Sequence, residues 1–165
     1  MVEERFVLPE ALRQELIAHA REGSPDEVCG ILAGREGRVE RVFRVTNTAD
    51  SVGPELGVFR DRETGVASAG QKAVHYYMDP RDQLRVYNEI DDLGLEVIGY
   101  YHSHTHTEAR PSPTDVRLAT DLTAYYVLVS LEDEQNPAVR AWRISKAEPT
   151  DETGEVSEVS LSRES

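Results

Sequence analysis

The sequence predicts a single α/β or α+β domain in which helices pack against one β-sheet. Short apolar runs bounded by glycine, proline and aspartate alternate with longer segments whose apolar residues recur at helical spacing. The chain has 165 residues, a length that suits one domain with its own hydrophobic core. Neither an internal repeat nor a linker-like segment divides it. The predicted order is helix, hairpin, strand, helix, strand, helix and further strands.

The first part of the chain predicts a helix followed by a β-hairpin. Apolar residues recur at helical spacing from residue 9 to about residue 20, and the turn residues Gly-Ser-Pro-Asp follow at 23–26. Residues 27–34 form an apolar run that is short enough to be a buried strand. A Gly-Arg-Glu-Gly turn leads into a second β-prone run at residues 39–45. Residues 46–71 are polar with little periodicity, which indicates a long irregular loop.

The middle of the chain predicts a strand at residues 74–78, a helix from 81 to about 93 and a buried strand at 95–100. Asp79 before a proline has the form of a helix N-terminus, and Gly94 that of a helix end. The apolar face of this helix is predicted to comprise Leu84, Val86, Tyr87 and Ile90.

The last third predicts a helix from residue 113 to about 121 and two neighbouring strands at 125–131 and 138–144. Both strand segments are rich in valine and aromatic residues, which favour extended backbone. These segments complete the predicted sheet.

The C-terminal segment is acidic and contains few apolar residues. We expect it to be disordered or to form a weak edge strand around Val156 and Val159. The predicted organisation is therefore one domain at residues 1–146, with an irregular insertion at about 46–72, and an acidic, flexible tail at 147–165.

The composition excludes several classes of partner and location. The formal net charge of −13 argues against nucleic acid or an anionic membrane as the main partner, because both attract positive charge. A single cysteine excludes an internal disulfide bond. No apolar run is long enough to span a bilayer, and the N-terminus lacks the basic and apolar regions of a secretory signal. These features indicate a soluble, cytoplasmic protein.

A candidate metal site lies between residues 100 and 115. His102 and His104 follow the predicted strand at 95–100, and residues two apart on a strand point to the same face. Ser112 and Asp115 occupy the N-cap and third positions of the next predicted helix. This arrangement can turn the Asp115 carboxylate back toward the two imidazoles. Three protein ligands with a fourth position left for water are typical of catalytic zinc.

A His-x-His pair alone does not decide between a metal site and two polar side chains at a strand end. The pair here is not followed by the Asp-His of metallo-β-lactamases, and the chain lacks both the Pro-Cys-x-x-Cys of zinc deaminases and an HExxH motif. A cupin would need a later histidine, and none follows His106. His106 itself lies in the loop after the strand.

Five residues together resemble the signature of the JAMM, or MPN-plus, metalloproteases. The pattern is His-x-His, then Ser-x-x-Asp after seven residues, with a glutamate upstream at the start of a strand, and its members are Glu27, His102, His104, Ser112 and Asp115. Residues 27–34, 99–115 and 124–130 are also similar to that family, and the resemblance covers roughly residues 6–144. It is strongest to the small bacterial members of the Mec type.

The resemblance implies the fold and the role of each site residue. The fold would be the MPN/JAMM, cytidine-deaminase-like domain, with a mixed, curved sheet flanked by helices. His102, His104 and Asp115 would ligate one catalytic Zn²⁺, which makes water nucleophilic at neutral pH. Glu27 would be the general base and then the general acid, and Ser112 would donate a hydrogen bond to the oxyanion. His106 and Cys29 have no role in the pattern.

The resemblance also implies the reaction. Mec-type enzymes hydrolyse the amide bond after the C-terminal Gly-Gly of a ubiquitin-like sulfur-carrier protein and release cysteine for cysteine biosynthesis. Three alternatives remain: a broader isopeptidase that removes ubiquitin-like modifiers from lysine, a JAMM hydrolase of small amides, and a non-catalytic MPN scaffold. The sequence leaves the oligomeric state open.

Overall fold

The structure, a computed structural model, describes residues 5–49 and 75–163. Eight strands in these residues form one sheet in the order β7-β6-β5-β4-β2-β3-β1-β8. The strands are β1 (Phe6–Val7), β2 (Cys29–Arg35), β3 (Arg38–Val45), β4 (Glu96–His104), β5 (Tyr125–Ser130), β6 (Ala138–Ser145), β7 (Glu155–Val159) and β8 (Leu161–Ser162). The helices are α1 (Glu10–Gly23), α2 (Pro80–Asp92) and α3 (Pro113–Leu118).

The sheet is mixed. Strands β2 and β3 form the predicted antiparallel hairpin, and β2 also pairs antiparallel with β4. Strand β4 pairs parallel with β5, and β5 pairs antiparallel with β6 as its neighbour, as predicted. The short strand β1 runs parallel to both β3 and β8. The predicted α+β architecture, one sheet with helices against it, is confirmed.

The two faces of the sheet carry different helices. On one face, Leu16, Ile17 and Ala20 of α1 pack with apolar side chains of the central strands, including Leu32 and Val127. On the other face, Val86 and Ile90 of α2 pack against a cluster of β2 and β3 residues, and α3 contributes Val116 to an adjacent cluster. Because side chains alternate along a strand, each central strand supplies residues to both layers.

Helix α2 begins and ends as the sequence predicts, but one residue of its predicted apolar face is wrong. The Asp79 side chain accepts hydrogen bonds from the backbone N–H groups of Arg81 and Asp82, and Gly94 ends the turn with φ +70°. Leu84, however, is 61% exposed. It lies on the solvent side of the helix because Val86 and Ile90, four residues apart, define the buried stripe.

Two further boundaries differ from the predictions. The described residues of the predicted strand at 74–78 are irregular apart from one isolated bridge between Asn47 and Met78. Their backbone groups bond to side chains and to residues 46–49 instead of to a ladder. Helix α3 ends at Leu118 instead of near residue 121, because the next residue, Ala119, is already extended.

The acidic C-terminal segment contributes strands to both edges of the sheet. Strand β7 pairs with β6 over Ala141–Ser145, and β8 pairs with β1. Of the two expectations for this segment, the structure has the edge strand, with Val159 buried in the α1-side core. The Arg140 guanidinium makes two 2.8 Å hydrogen bonds to the Glu158 carboxylate across this edge.

The predicted insertion falls mostly on residues 50–72, which lie outside the described residues. In the described ranges, no helix is both long and apolar enough to cross a lipid bilayer.

Candidate metal centre

The two histidines end β4 and turn their imidazoles to the same face of the sheet. His102 is 2% and His104 4% exposed, and their Nε2 atoms lie 3.3 Å apart. Tyr76 stacks on the His102 ring with the centroids 4.2 Å apart, which restrains its plane. Two neutral ring nitrogens at this distance either share a hydrogen or direct lone pairs at a common cation.

Asp115 reaches the imidazoles from the first turn of α3. Ser112 is the N-cap, with Oγ accepting from the Asp115 N–H at 3.1 Å, while Asp115 Oδ2 accepts from the Ser112 N–H at 2.8 Å. The same Oδ2 atom lies 3.0 Å from His102 Nε2 and 3.1 Å from His104 Nε2. The capping box predicted from the sequence is therefore also what fixes this carboxylate against both histidines.

Glu27 joins the site because β2 pairs with β4. Cys29 lies opposite His102 in the ladder, and the Ser103 N–H donates to the Val28 carbonyl at 3.0 Å. The same register places Glu27 opposite His104, on the same face of the sheet. Glu27 is 6% exposed, and its carboxylate and the two histidine rings offer ligand atoms within 4.8 Å of one another. Residues far apart in sequence thus meet at one point.

Two residues that carry no recognisable motif hold the Glu27 backbone. Ser103 lies between the histidines on the strand and so points to the opposite face, and its Oγ accepts from the Val28 N–H at 2.9 Å. The Asn47 amide donates to the Glu27 carbonyl at 2.8 Å and to the His75 carbonyl at 3.2 Å. Asn47 lies in the segment interpreted as an irregular loop, so no local pattern could have identified it.

The donor set fits a metal ion. A backbone carbonyl can only accept, so His104 Nδ1 must donate its hydrogen to the Glu108 carbonyl, 2.8 Å away. In the neutral ring this leaves the Nε2 lone pair free to face Asp115 and His102. Glu27, His102 and His104 are positioned to bind a metal ion, and Asp115 Oδ2 contacts both histidines.

The two carboxylates differ in what holds them. Asp115 Oδ2 is bound by a backbone N–H and lies against two imidazoles. Glu27 Oε1, in contrast, is buried and has no hydrogen-bond partner among the described residues. A buried carboxylate oxygen without a partner costs free energy, which is typical of a group that meets a ligand or substrate. The Asp115 carboxylate is thus fixed by its contacts, whereas the Glu27 carboxylate is uncommitted in the sense that its buried Oε1 has no hydrogen-bond partner among the described residues.

Electrostatics separate the same two groups. Burial raises the pKa of Glu27 to about 8, and nearby His104 opposes this shift only in part. Burial also acts to raise the pKa of Asp115, but the imidazoles of His102 and His104 outweigh it and hold that pKa well below its usual range. Asp115 is thus the group held as an anion, whereas Glu27 is the group that can carry a proton at neutral pH.

The histidines divide in a similar way. Burial lowers the pKa of His102, which is stacked under Tyr76 and enclosed on all sides. Burial also acts to lower the pKa of His104, but the hydrogen bond and charge of Asp115 outweigh it, so this pKa is raised.

The structure also describes Ser112, His106 and Cys29. Ser112 is half-buried, and because its Oγ accepts from the Asp115 N–H, its own hydroxyl hydrogen is left to donate. His106 is exposed in the loop and takes no part in the cluster. Cys29 is fully buried with its Sγ 3.4 Å from the Val45 carbonyl, and burial raises the pKa of its thiol.

A cavity of about 460 Å³ lies beside the site and begins at Tyr76. Tyr87 and Tyr100 line it, and their hydroxyls are hydrogen-bonded to each other at 2.7 Å. Because these polar tips are paired, Tyr87 and Tyr100 contribute mainly ring surface to the cavity wall.

Comparison with known proteins supports the interpretation of this geometry. Residues 9–145 match the family described as prokaryotic homologs of the JAB domain. The chain is similar to the CysO-cysteine peptidase of Mycobacterium tuberculosis, with 38% identity over 89% of this chain and 88% of that protein. It is also similar to the desampylase of Haloferax volcanii, with 29% identity over 79% of this chain and 84% of that protein.

The fold agrees with the family match. The crystal structure of a JAB1/MPN domain protein from Archaeoglobus fulgidus covers 95% of this chain and 98% of its own, with a TM-score of 0.51 and 17% identity. The chain therefore belongs to the prokaryotic homologues of the JAB domain, and its sheet and helices have the JAB/MPN fold.

Proposed function

We propose that this protein is a zinc metallopeptidase that hydrolyses the amide bond after the C-terminal Gly-Gly of a ubiquitin-like sulfur-carrier protein and releases cysteine. One observation carries the proposal: two imidazoles, a fixed carboxylate and an uncommitted carboxylate converge on one buried point. That set supplies both a metal site and a proton carrier.

The metal would be held by His102 Nε2, His104 Nε2 and Asp115 Oδ2. Two neutral nitrogens and one carboxylate oxygen are ligands that suit zinc, and the Asp115 capping box fixes the third ligand before the metal arrives. When bound, zinc supplies Lewis-acid activation of water and of the scissile carbonyl.

Glu27 would move the proton. Hydrolysis takes the elements of one water: hydroxide adds to the carbonyl carbon, and a proton is delivered to the leaving amine. The uncommitted Glu27 carboxylate accepts the proton from water and returns it to the amine nitrogen as the C–N bond breaks. Its burial and its place opposite His104 keep it within the same enclosed site.

Ser112 would stabilise the oxyanion that forms on the carbonyl oxygen. Its Oγ is occupied as an acceptor by the Asp115 N–H, so the hydroxyl hydrogen is directed outward and can donate. Loss of one such donor costs about 3 kcal/mol of transition-state stabilisation in other hydrolases.

The relatives support the substrate class. One is named for removing cysteine from CysO, and it shares more identity with this chain than the desampylase does. An extended tail ending in two glycines is a suitable substrate, because it can enter a narrow site and pair with strand edges. The negative net charge argues against nucleic acid or an anionic membrane as the main partner.

A second candidate function is an isopeptidase that removes ubiquitin-like modifiers from lysine side chains. The similarity to a desampylase favours it, and it would use the same five residues. The scaffold hypothesis is disfavoured, since scaffolds lack part of the ligand set and every member is present in this chain.

The test compares three substrates with the zinc-loaded protein: a carrier ending in Gly-Gly-Cys, the same carrier joined to a lysine ε-amine, and the free tripeptide Gly-Gly-Cys. We expect the carrier-cysteine adduct to lose cysteine fastest in intact-mass measurements. Faster cleavage of the lysine conjugate would favour the second candidate, and cleavage of the tripeptide alone would favour a small-amide hydrolase. A protein that purifies without zinc and takes up none when zinc is added would support the scaffold hypothesis.

A further inference from the structure

The loop at residues 105–111 is held by side chains from three different strands. Three consecutive backbone carbonyls each accept a hydrogen bond from a side chain, and the Glu108 carbonyl also accepts from the Arg110 N–H at 2.8 Å. The side-chain donors are Ser130 Oγ to Thr107 at 2.5 Å, His104 Nδ1 to Glu108 at 2.8 Å, and Trp142 Nε1 to Ala109 at 2.8 Å. The donors lie on β5, β4 and β6. The middle bond is the one that sets the hydrogen position on the candidate ligand His104.

The donors of all three bonds are buried: Ser130 is 3%, His104 4% and Trp142 2% exposed. Thr107 and Glu108 are exposed, so the bonds to their carbonyls are only partly buried. Ala109 is 2% exposed, so water cannot replace the Trp142 bond without rearrangement. The Trp142 ring is fixed as well, because the guanidinium carbons of Arg110 and Arg140 lie 5.1 and 4.7 Å from its centroid. Since Arg110 belongs to the loop, Trp142 holds the loop at two adjacent residues.

The flanking bonds restrict the one between them. Peptide units are planar, so a peptide whose neighbours on both sides are fixed has little freedom to rotate. A mobile Glu108 carbonyl could follow His104 as the imidazole turned, and the bond between them would then orient nothing. With the Thr107 and Ala109 carbonyls fixed, the Glu108 carbonyl is a stationary acceptor, and His104 must align to it.

We propose that Ser130 and Trp142 are positioning residues that hold the loop at 105–111 so that the Glu108 carbonyl sets the orientation and tautomer of His104. The inference rests on the metal site of the proposed function, but it needs neither the peptidase reaction nor a particular substrate. Ser130 pairs with His104 in the β4–β5 ladder, but among the described residues neither the Ser130 nor the Trp142 side chain is hydrogen-bonded to the metal-binding atoms. Their effect on the site passes through the loop backbone and the His104 Nδ1 hydrogen.

The main variant is Trp142→Phe, which keeps an aromatic ring between the arginines and removes the N–H. The matched control is Tyr126→Phe, which lies opposite Trp142 in the ladder and loses a hydroxyl bond of 2.8 Å to the Asp121 carbonyl, outside the loop. Ser130→Ala removes the other flanking bond, and also the acceptor for the Glu132 N–H. It serves as a second variant if Trp142→Phe does not fold.

Zinc affinity, measured by competition with a chromophoric chelator well below the unfolding temperature, is the first readout. Loss of a direct partner of a metal-binding histidine weakens binding by about 10- to 100-fold, so these indirect variants should fall near 10-fold. Tyr126→Phe should bind zinc as tightly as the wild type even if its melting temperature falls equally. Because Ser130 and Trp142 hold the same loop, the double variant should weaken zinc binding by less than the product of the two single-variant fold-changes.

The second readout needs no metal. Nitrogen-15 NMR of the metal-free protein, at a pH high enough for the His104 ring to be neutral, distinguishes the two imidazole tautomers by their ring nitrogen shifts. The wild type should show His104 with its hydrogen on Nδ1, whereas Trp142→Phe and Ser130→Ala should show a population with the hydrogen on Nε2.

Unchanged zinc affinity and an unchanged tautomer in both anchor variants would overturn the proposal. Equal loss of affinity in Tyr126→Phe would also overturn it, because the effect would then be general to the sheet. If the wild-type protein binds no zinc, both this proposal and the proposed metal site are refuted. Zinc binding that depends on the anchors, combined with no cleavage of any carrier conjugate, would refute only the proposed function.

Discussion

Ser103→Ala should destabilise the fold and also make the backbone beside Glu27, the proposed proton carrier, more mobile. Ser103 lies between the two histidines, is completely buried and accepts the Val28 N–H at 2.9 Å. Alanine removes the acceptor and leaves the Val28 N–H buried without a partner, which costs about 1–3 kcal/mol. For a domain of this size, a central value of about 2 kcal/mol lowers the melting temperature by roughly 4–8 °C.

Urea denaturation gives the stability change, and amide hydrogen exchange at Val28 gives the local effect. Ser157 on β7 is an exposed strand serine, so Ser157→Ala makes the same chemical change without a buried partner and should stay within about 0.5 kcal/mol of the wild type. We expect Val28 exchange to accelerate in Ser103→Ala alone. Equal stability of the two variants, with Val28 still protected, would refute the assigned role of the Ser103 hydroxyl.

Three further predictions concern packing, pH and the metal. Gly30→Ala would place a Cβ near the ring of Tyr101 and 2.5 Å from the Phe43 carbonyl, so it should destabilise the fold by about 3 kcal/mol. Gly94→Ala meets only the Arg35 side chain, at an ordinary contact distance of 3.9 Å, and carries the φ +70° strain of about 1 kcal/mol; urea midpoints rank the two. Burial, reinforced by the Arg44 charge, lowers the pKa of His19 from 6.5 to about 4. The unfolded chain therefore binds more protons between those pH values, so the contribution of His19 to the free energy of unfolding is present above pH 6.5 and is lost as pH falls toward 4. After allowance for the partial exposure of His19, this loss of stability is about 1–2 kcal/mol. The loss should be absent from the pH profile of His19→Gln. Chelation should lower the melting temperature and abolish turnover, and added zinc should restore both; an unchanged melting temperature would count against a preformed metal site.

The sequence predicts the local elements well because their signals are local. Short apolar or β-prone runs bounded by turn residues indicate β2, β3, β5 and β6, and the Asp79-Pro80 start and Gly94 end define α2. The error at Leu84 arises because two overlapping apolar stripes fit the same helix, and only packing against the sheet selects the one through Val86 and Ile90.

Contacts across strands were less accessible to sequence reasoning. Only the five-residue pattern predicted that Glu27 lies near the histidines, and the physical reason, the antiparallel register of β2 and β4, is visible only in the structure. Asn47 and Trp142 act through side-chain hydrogen bonds to distant carbonyls, and such bonds leave no periodicity or spacing in the sequence. The edge pairing of β8 with β1 joins the two ends of the chain, which composition alone cannot indicate.

The most direct test compares the proposed metal ligand Asp115 with the proposed proton carrier Glu27. Zinc content and turnover of a carrier-cysteine adduct are measured on the same samples of wild type, Glu27→Gln and Asp115→Asn. We expect Glu27→Gln to retain one zinc per chain while its turnover falls by at least about 100-fold, which is the effect of losing a general acid-base group. Asp115→Asn should lose zinc and turnover together. A Glu27→Gln protein that binds zinc and still cleaves at the wild-type rate would contradict the assignment of the proton to Glu27.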